Sequence, residues 1–287
     1  MLSEHAFDTG VVVINYAETG VAGCPLMVLH GGSARWQSSL PIIPELSQRW
    51  HVFAPDLRGH GKSGRVAGGY QLKEYVGDIV AILEHVVKEP AVLFGHSLGG
   101  FIAIMVAAWY PHLVKRLIIG DTPFDPAKLR AGLKGSEERL LYWRDIAGTE
   151  HTHEEIVAAL KNTPVAVEGS PDAVLARELF GEENPWFHDM AENLRLNDPE
   201  MLTAVIEFDK MYEDYDCEQL FLLISCPVLI IQGSPMHGGL LTDEEIERAV
   251  MLLPQTTIAR MQTVGHSLHT QEKEPVLIAI TSFLDSL

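Results

Sequence analysis

Attack on a carbonyl needs a nucleophile, a base to free it, and donors that hold the developing negative charge. Gly95-His96-Ser97-Leu98-Gly99 supplies the first of these. It stands between a short apolar run, Ala91-Val92-Leu93-Phe94, and a helix-like stretch from Gly100 to Tyr110. A G-x-S-x-G turn between strand and helix lifts a serine hydroxyl out of the backbone at the end of a sheet. The glycines suit a turn in which strand and helix come too close for a β-carbon. Ser97 is therefore the candidate nucleophile. A neutral hydroxyl reacts only when an adjacent base takes its proton. His266, in Thr263-Val264-Gly265-His266-Ser267, is the candidate base and completes the chain order serine then histidine. His269 is its neighbour and competitor, expected to point elsewhere unless the segment is helical. The oxyanion donors are expected to be the N–H of Leu98, at the start of the helix, and that of Gly32 in His30-Gly31-Gly32, with Ser33 as the alternative. His30, His60 and His96 also lie near this chemistry, and packing and turn geometry account for them.

Positioning these residues requires strands that end where they stand. Over residues 1–121 strand-like runs alternate with helix-like ones: Val11–Tyr16, Pro25–Leu29, His51–Ala54, Ala91–Phe94 and Leu113–Ile119 are the strands. Residues 71–88 put Leu72, Tyr75, Val76, Ile79, Val80, Leu83, Val86 and Val87 on one helical face. The rhythm returns with Pro227–Ile231, a helix opening at Thr242 with Asp243-Glu244-Glu245 in its first turn, a strand over Thr257–Met261 and a closing helix over Glu274–Leu287. Short apolar strands between amphipathic helices imply parallel strands covered on both faces. Ligands of such sheets bind at the carboxyl ends of strands, where His30, Asp56, Ser97 and Asp121 all fall. Residues 122–222 carry no strand signal. They hold 22 acidic and nine basic residues, hence 13 of the 18 net negative charges, and read as a helical cap inserted in a core of 1–121 and 223–287.

Four motifs then occur in order: His30-Gly31-Gly32, Asp56-Leu57-Arg58-Gly59-His60-Gly61-Lys62-Ser63, Gly95-His96-Ser97-Leu98-Gly99-Gly100 and Gly265-His266. Together they resemble the α/β-hydrolase superfamily. The resemblance covers roughly 10–121 and 223–287. It implies an eight-stranded, mostly parallel sheet, a lid after the sixth strand, and a triad of serine, acid and histidine. In many relatives the acid follows the seventh strand. Here that loop reads Ser234-Pro235-Met236-His237-Gly238-Gly239-Leu240-Leu241-Thr242, with no carboxylate before Asp243. Asp121, after the sixth strand, is the other position used in the superfamily. Asp121, Asp243, and a dyad or another acid stay open, with Asp121 preferred. The acid's task is to hold the imidazole tautomer and stabilise its cation.

Composition bounds the partners. A net charge of −18 opposes nucleic acid. No apolar run approaches the length of a membrane-spanning helix, and the N-terminal residues lack a basic and apolar leader pattern. Cys24, Cys217 and Cys226 have no metal-binding or redox spacing and read as free thiols, so a cytoplasmic location is expected. Gly61-Lys62-Ser63 lacks the first glycine of a phosphate loop, since position 56 is aspartate. That turn reads as structural, with Asp56 and Arg58 tied to neighbouring backbone. His151-Thr152-His153 has no companion ligands to complete a metal site. No metal or cofactor is called for.

The expected activity is cleavage of a carboxylic ester or related acyl compound through an acyl-enzyme on Ser97. The substrate would be a small molecule, neutral and partly apolar, bound under Trp143, Trp186, Phe187, Met211 and Tyr212, although each of these also fits simple packing. The protein would be a monomer or homodimer. Carbon–carbon bond hydrolysis, lactonase or thioesterase activity, or a ligand-binding receptor without turnover, are the alternatives. The superfamily's haloalkane dehalogenases and epoxide hydrolases use an aspartate nucleophile, which serine at position 97 opposes.

Overall fold

The computed structural model describes residues 2–20, 22–133, 137–148, 150–165, 173–253 and 255–286. Eight strands form one sheet: β1 (Leu2–Asp8), β2 (Val13–Thr19), β3 (Cys24–Leu29), β4 (Trp50–Pro55), β5 (Ala91–His96), β6 (Val114–Gly120), β7 (Val228–Gln232) and β8 (Thr256–Arg260). Their spatial order is β1-β2-β4-β3-β5-β6-β7-β8. The β1/β2 and β2/β4 pairs are antiparallel, and every pair from β4 to β8 is parallel. The central strands β3, β5 and β7, and β6 beyond Lys115 and Arg116, are almost wholly apolar because helices cover both their faces.

Helices α1 (Leu72–Ile82), α2 (Leu98–Trp109) and α3 (Asp243–Leu252) cover one face, through Tyr75, Ile79, Phe101, Met105 and Ile246. The closing helix α4 (Lys273–Asp285) covers the other through Val276, Ile280, Phe283 and Leu284. Leu287, the end of the predicted closing helix, lies outside the described residues. Thr242 caps α3 as its sequence predicts: the side chain accepts from Glu245 N at 3.3 Å, and the Glu245 carboxylate accepts from Thr242 N at 3.0 Å.

Two elements depart from the sequence reading. Strand β1 was not expected. Its residues are mostly exposed and polar, and its seven-pair ladder with β2 at the sheet edge defines it rather than any apolar alternation. The helix predicted over 71–88 ends at Ile82 and continues as a wider turn over Leu83–Val87, closed by Lys88 at φ 61°.

Between β6 and β7 the chain is helical, with Pro126–Leu133, Glu137–Ile146, His153–Lys161, Trp186–Leu196, Pro199–Ile206 and Cys217–Leu223 as its main helices. A two-residue ladder, Pro164–Val165 against Val174–Leu175, is the only pairing among its described residues. Phe187 and Met211 are buried in the same apolar cluster as α2, with Trp143 and Tyr212 packed against it, whereas Trp186 is 40% exposed. Packing thus accounts for most of the aromatic side chains read as pocket residues. The helix Cys217–Leu223 crosses the expected 222/223 boundary and lies on α2 and α3. The segment is tied to the sheet's loops by Asp198 N to Gly59 O at 2.8 Å and Arg35 Nε to Asn193 Oδ1 at 3.0 Å.

Candidate active site

Ser97 sits between the end of β5 and the first turn of α2 at φ 53° and ψ −117°, outside the regions an L-residue favours. Such a conformation costs about 1–3 kcal/mol and persists only where the surroundings impose it. Here the Ser97 N–H donates to Gly120 O at 3.2 Å, and its carbonyl accepts from Gly100 N at 2.9 Å. The glycines are dictated by contact. A β-carbon on Gly95 would run into the carbonyl of Gly99, and one on Gly99 into the carbonyls of Leu29 and His30.

The turn after β8 brings His266 over this serine. Its Nε2 lies 3.1 Å from Ser97 Oγ and its Nδ1 lies 2.8 Å from Asp121 Oδ2. Asp121 is completely buried just past β6, the strand next to β5, with φ 37°. Because a carboxylate only accepts, Nδ1 of His266 carries the proton and Nε2 presents its lone pair to the serine hydroxyl. The Asp121 carboxylate also accepts Gly233 N at 2.9 Å, Leu240 N at 2.8 Å and Leu241 N at 3.3 Å. Burial alone would push this carboxyl up. The His266 hydrogen bond and charge, with the backbone amides, outweigh it and hold Asp121 below the usual carboxylate range.

The loop after β7 therefore contributes amides rather than an acid. Those amides reach Asp121 because Gly233, Gly239 and Gly265 let three backbone segments touch: a β-carbon on Gly233 would lie 2.7 Å from Gly265 O, and one on Gly239 would strike Gly233 O. The lack of a carboxylate before Asp243 in that loop is the sequence signal that favours Asp121; what the sequence does not show is that the loop's glycines bring its amides onto that acid. Asp243 stands elsewhere. It is exposed in the first turn of α3, accepting from Gln232 Nε2 at 3.0 Å and pairing with Arg260 at 3.4 Å.

In the first turn of α2 the N–H groups of Gly99, Gly100 and Phe101 have backbone acceptors, while that of Leu98 makes no hydrogen bond among the described residues. The same holds for the N–H of Gly32, which is exposed after β3. Ser33 differs: its N–H donates to His60 Nε2 at 3.3 Å.

The remaining histidines separate cleanly. His96 donates from Nε2 to the His266 carbonyl at 2.6 Å, so it braces the candidate base rather than only packing beside it. His269 lies in the short helix Leu268–Gln271, buried with its ring 5.8 Å from that of Phe94, and burial pushes it down to about 4. In the Asp56 turn, the carboxylate accepts Trp36 N at 2.8 Å, Lys62 N at 2.9 Å and Asn15 Nδ2 at 2.8 Å. Arg58 forks onto Asp78 at 2.6 and 2.8 Å. His151 bonds the Asp145 carbonyl at 3.2 Å, and His153 faces His188 at 3.1 Å; among the described residues no group of three ligands could hold a metal. No helix among those residues is long and apolar enough to cross a membrane.

Known proteins carry the same framework. The chain is 26% identical over 283 residues to the 2-(acetamidomethylene)succinate hydrolase of Mesorhizobium japonicum, spanning 97% of this chain and 94% of that protein. It is 24% identical over 276 residues to the pyrrolizixenacetamide deacetylase of Xenorhabdus hominickii, spanning 96% of each. The crystal structure of E-2-(acetamidomethylene)succinate hydrolase matches with a TM-score of 0.76 at 23% identity over the whole of both chains, a likeness of fold. The family profile described as alpha/beta hydrolase fold matches residues 25–272, and the chain belongs to that family.

Proposed function

We propose that this protein is a serine hydrolase that cleaves a small acyl compound through a covalent acyl-enzyme on Ser97. The observation that carries the reading is the continuous line from Ser97 Oγ to His266 Nε2 at 3.1 Å and from His266 Nδ1 to Asp121 Oδ2 at 2.8 Å. Ser97 Oγ attacks the substrate carbonyl while its proton passes to His266 Nε2. The carbonyl oxygen becomes an oxyanion facing the N–H groups of Leu98 and Gly32, which have no competing acceptor among the described residues. The imidazolium then gives its proton to the leaving group as the carbonyl–leaving-group bond breaks. Water, deprotonated by the same imidazole, attacks the ester and releases the acid and Ser97.

The helical segment 122–222 is the cap over this site. A receptor without turnover was favoured only by the missing carboxylate after β7; Asp121 beside His266 removes that ground. Between ester and amide substrates, two relatives that match over nearly the whole length of both chains favour the second. One is named for a compound bearing an acetamido group and the other is named a deacetylase, so an N-acyl substrate is the alternative to a carboxylic ester. A fluorophosphonate probe tests the nucleophile. Labelling is expected in the wild type and lost in both Ser97→Ala and His266→Ala. Labelling that survives Ser97→Ala overturns the reading. A panel of p-nitrophenyl esters, lactones and N-acyl enamines then separates the acyl classes by kcat/KM.

A further inference from the structure

The segment from His30 to Trp36 carries the candidate oxyanion donor Gly32, and three buried side chains hold it. His30 Nδ1 donates to the Gly31 carbonyl at 2.7 Å while its Nε2 accepts Leu57 N at 3.0 Å. Asp56 accepts Trp36 N at 2.8 Å. Between them, His60 Nδ1 donates to the Arg58 carbonyl at 2.9 Å, and its Nε2 receives the Ser33 N–H at 3.3 Å. Ser33 itself sits at φ 55°, a left-handed conformation that a non-glycine residue adopts only when held there.

These bonds fix the tautomer. A carbonyl oxygen only accepts, so the His60 proton is on Nδ1, and an amide only donates, so Nε2 is a bare acceptor. His60 is fully buried, and its ring centroid lies 5.1 Å from that of His30. Burial and the charge of His30 push it down to about 3, so it stays neutral wherever the fold survives.

We infer that His60 is a positioning residue for acyl transfer: by taking the Ser33 N–H as a neutral acceptor it fixes the peptide that follows Gly32, and together with His30 on the Gly31 carbonyl, whose peptide carries the Gly32 N–H, it holds that N–H toward the site. The inference rests on the serine-hydrolase reading above and extends it to a residue that touches no substrate. It also places the cap in the same chain of bonds. Gly59, next to His60, accepts the Asp198 N–H at 2.8 Å.

Two substitutions separate positioning from mere packing. Glutamine can place an acceptor where Nε2 stands, whereas asparagine reaches only the Nδ1 position. His60→Asn is expected to lower kcat on the order of 10- to 100-fold with KM changed less than about threefold, because a displaced oxyanion donor acts on the transition state alone. His60→Gln is expected to recover most of that loss at a similar melting temperature. Equal losses in the two variants, or wild-type kcat in His60→Asn, overturn the inference. A third measurement needs no variant: nitrogen-15 NMR of the wild-type protein between pH 6 and 8 should find His60 Nε2 unprotonated and Nδ1 protonated, and the opposite tautomer overturns the inference even if both variants misfold. Ser97→Ala in the same assay keeps the two claims apart. Turnover surviving that change refutes the serine-hydrolase reading, while loss there with wild-type kcat in His60→Asn refutes only the role of His60.

Discussion

Replacing Asp121 by asparagine tests the assignment of the acid with almost no change in shape. In the wild type Oδ2 accepts both His266 Nδ1 at 2.8 Å and Leu240 N at 2.8 Å, and Oδ1 accepts Gly233 N at 2.9 Å. In Asp121→Asn the amide oxygen can keep the Gly233 and Leu241 donors, which sets the NH2 group against two donors. His266 then relieves the clash by moving its proton to Nε2, where it can no longer accept from Ser97. A change of this kind lowers turnover on the order of 10⁴-fold, or about 5 kcal/mol of barrier. The Leu240 N–H is left without its acceptor, which costs about 2 kcal/mol of stability and a few degrees in melting temperature for a chain of this length. The informative comparison is Asp243→Asn. That carboxylate is 70% exposed and serves Gln232 and Arg260, so its activity should stay within about twofold and its stability within about 0.5 kcal/mol. Initial rates on p-nitrophenyl acetate, with the fraction of active serine counted by fluorophosphonate, measure both. Turnover above about a tenth of wild type in Asp121→Asn, or a loss of 100-fold or more in Asp243→Asn, would refute the assignment.

Three further outcomes follow from the same contacts. Gly99→Ala forces a β-carbon against the Leu29 and His30 carbonyls and should cost on the order of 3 kcal/mol, read as a lower denaturant midpoint; an unchanged midpoint would mean that the elbow is less constrained than described. Arg58→Met leaves the Asp78 carboxylate, 5% exposed, without its fork and should destabilise by about 3–5 kcal/mol by chemical denaturation, while Arg58→Met with Asp78→Leu should recover much of that. Acid should unfold the protein early: His30, His60 and His269 are depressed to about 4, about 3 and about 4, so below pH 6.5 the unfolded chain binds protons that the folded one refuses. Stability is then full above pH 6.5 and falls toward pH 4 with a slope approaching about 4 kcal/mol per pH unit, roughly 1.4 for each histidine; denaturation midpoints that stay constant from pH 6.5 to 4.5 would contradict this.

The elbow was legible in the sequence because its constraints are local. Two glycines flank a serine between a strand and a helix, and the sterics of that turn act within a few residues. The alternation of short apolar strands with amphipathic helices, the cap on α3 and the absence of strand rhythm over most of 122–222 are likewise patterns of neighbouring residues. Strand β1 escaped notice because pairing at the sheet edge, not burial of its own side chains, defines it. The acid was a matter of tertiary structure. Asp121 and Asp243 are both carboxylates near strand ends, and nothing in their immediate sequence ranks their distance from His266. Placing β6 between β5 and β7 sets Asp121 beside the elbow, and the touching glycines 233, 239 and 265 turn the next loop's amides onto it. The role inferred for His60 belongs to the same class, since its bond to Ser33 joins residues 27 positions apart. Spacing along the chain determined which residues could do the chemistry; only the order of parallel strands and the approach of distant backbone segments decided which of them meet, because hydrogen bonds reach about 3 Å whatever the separation in sequence.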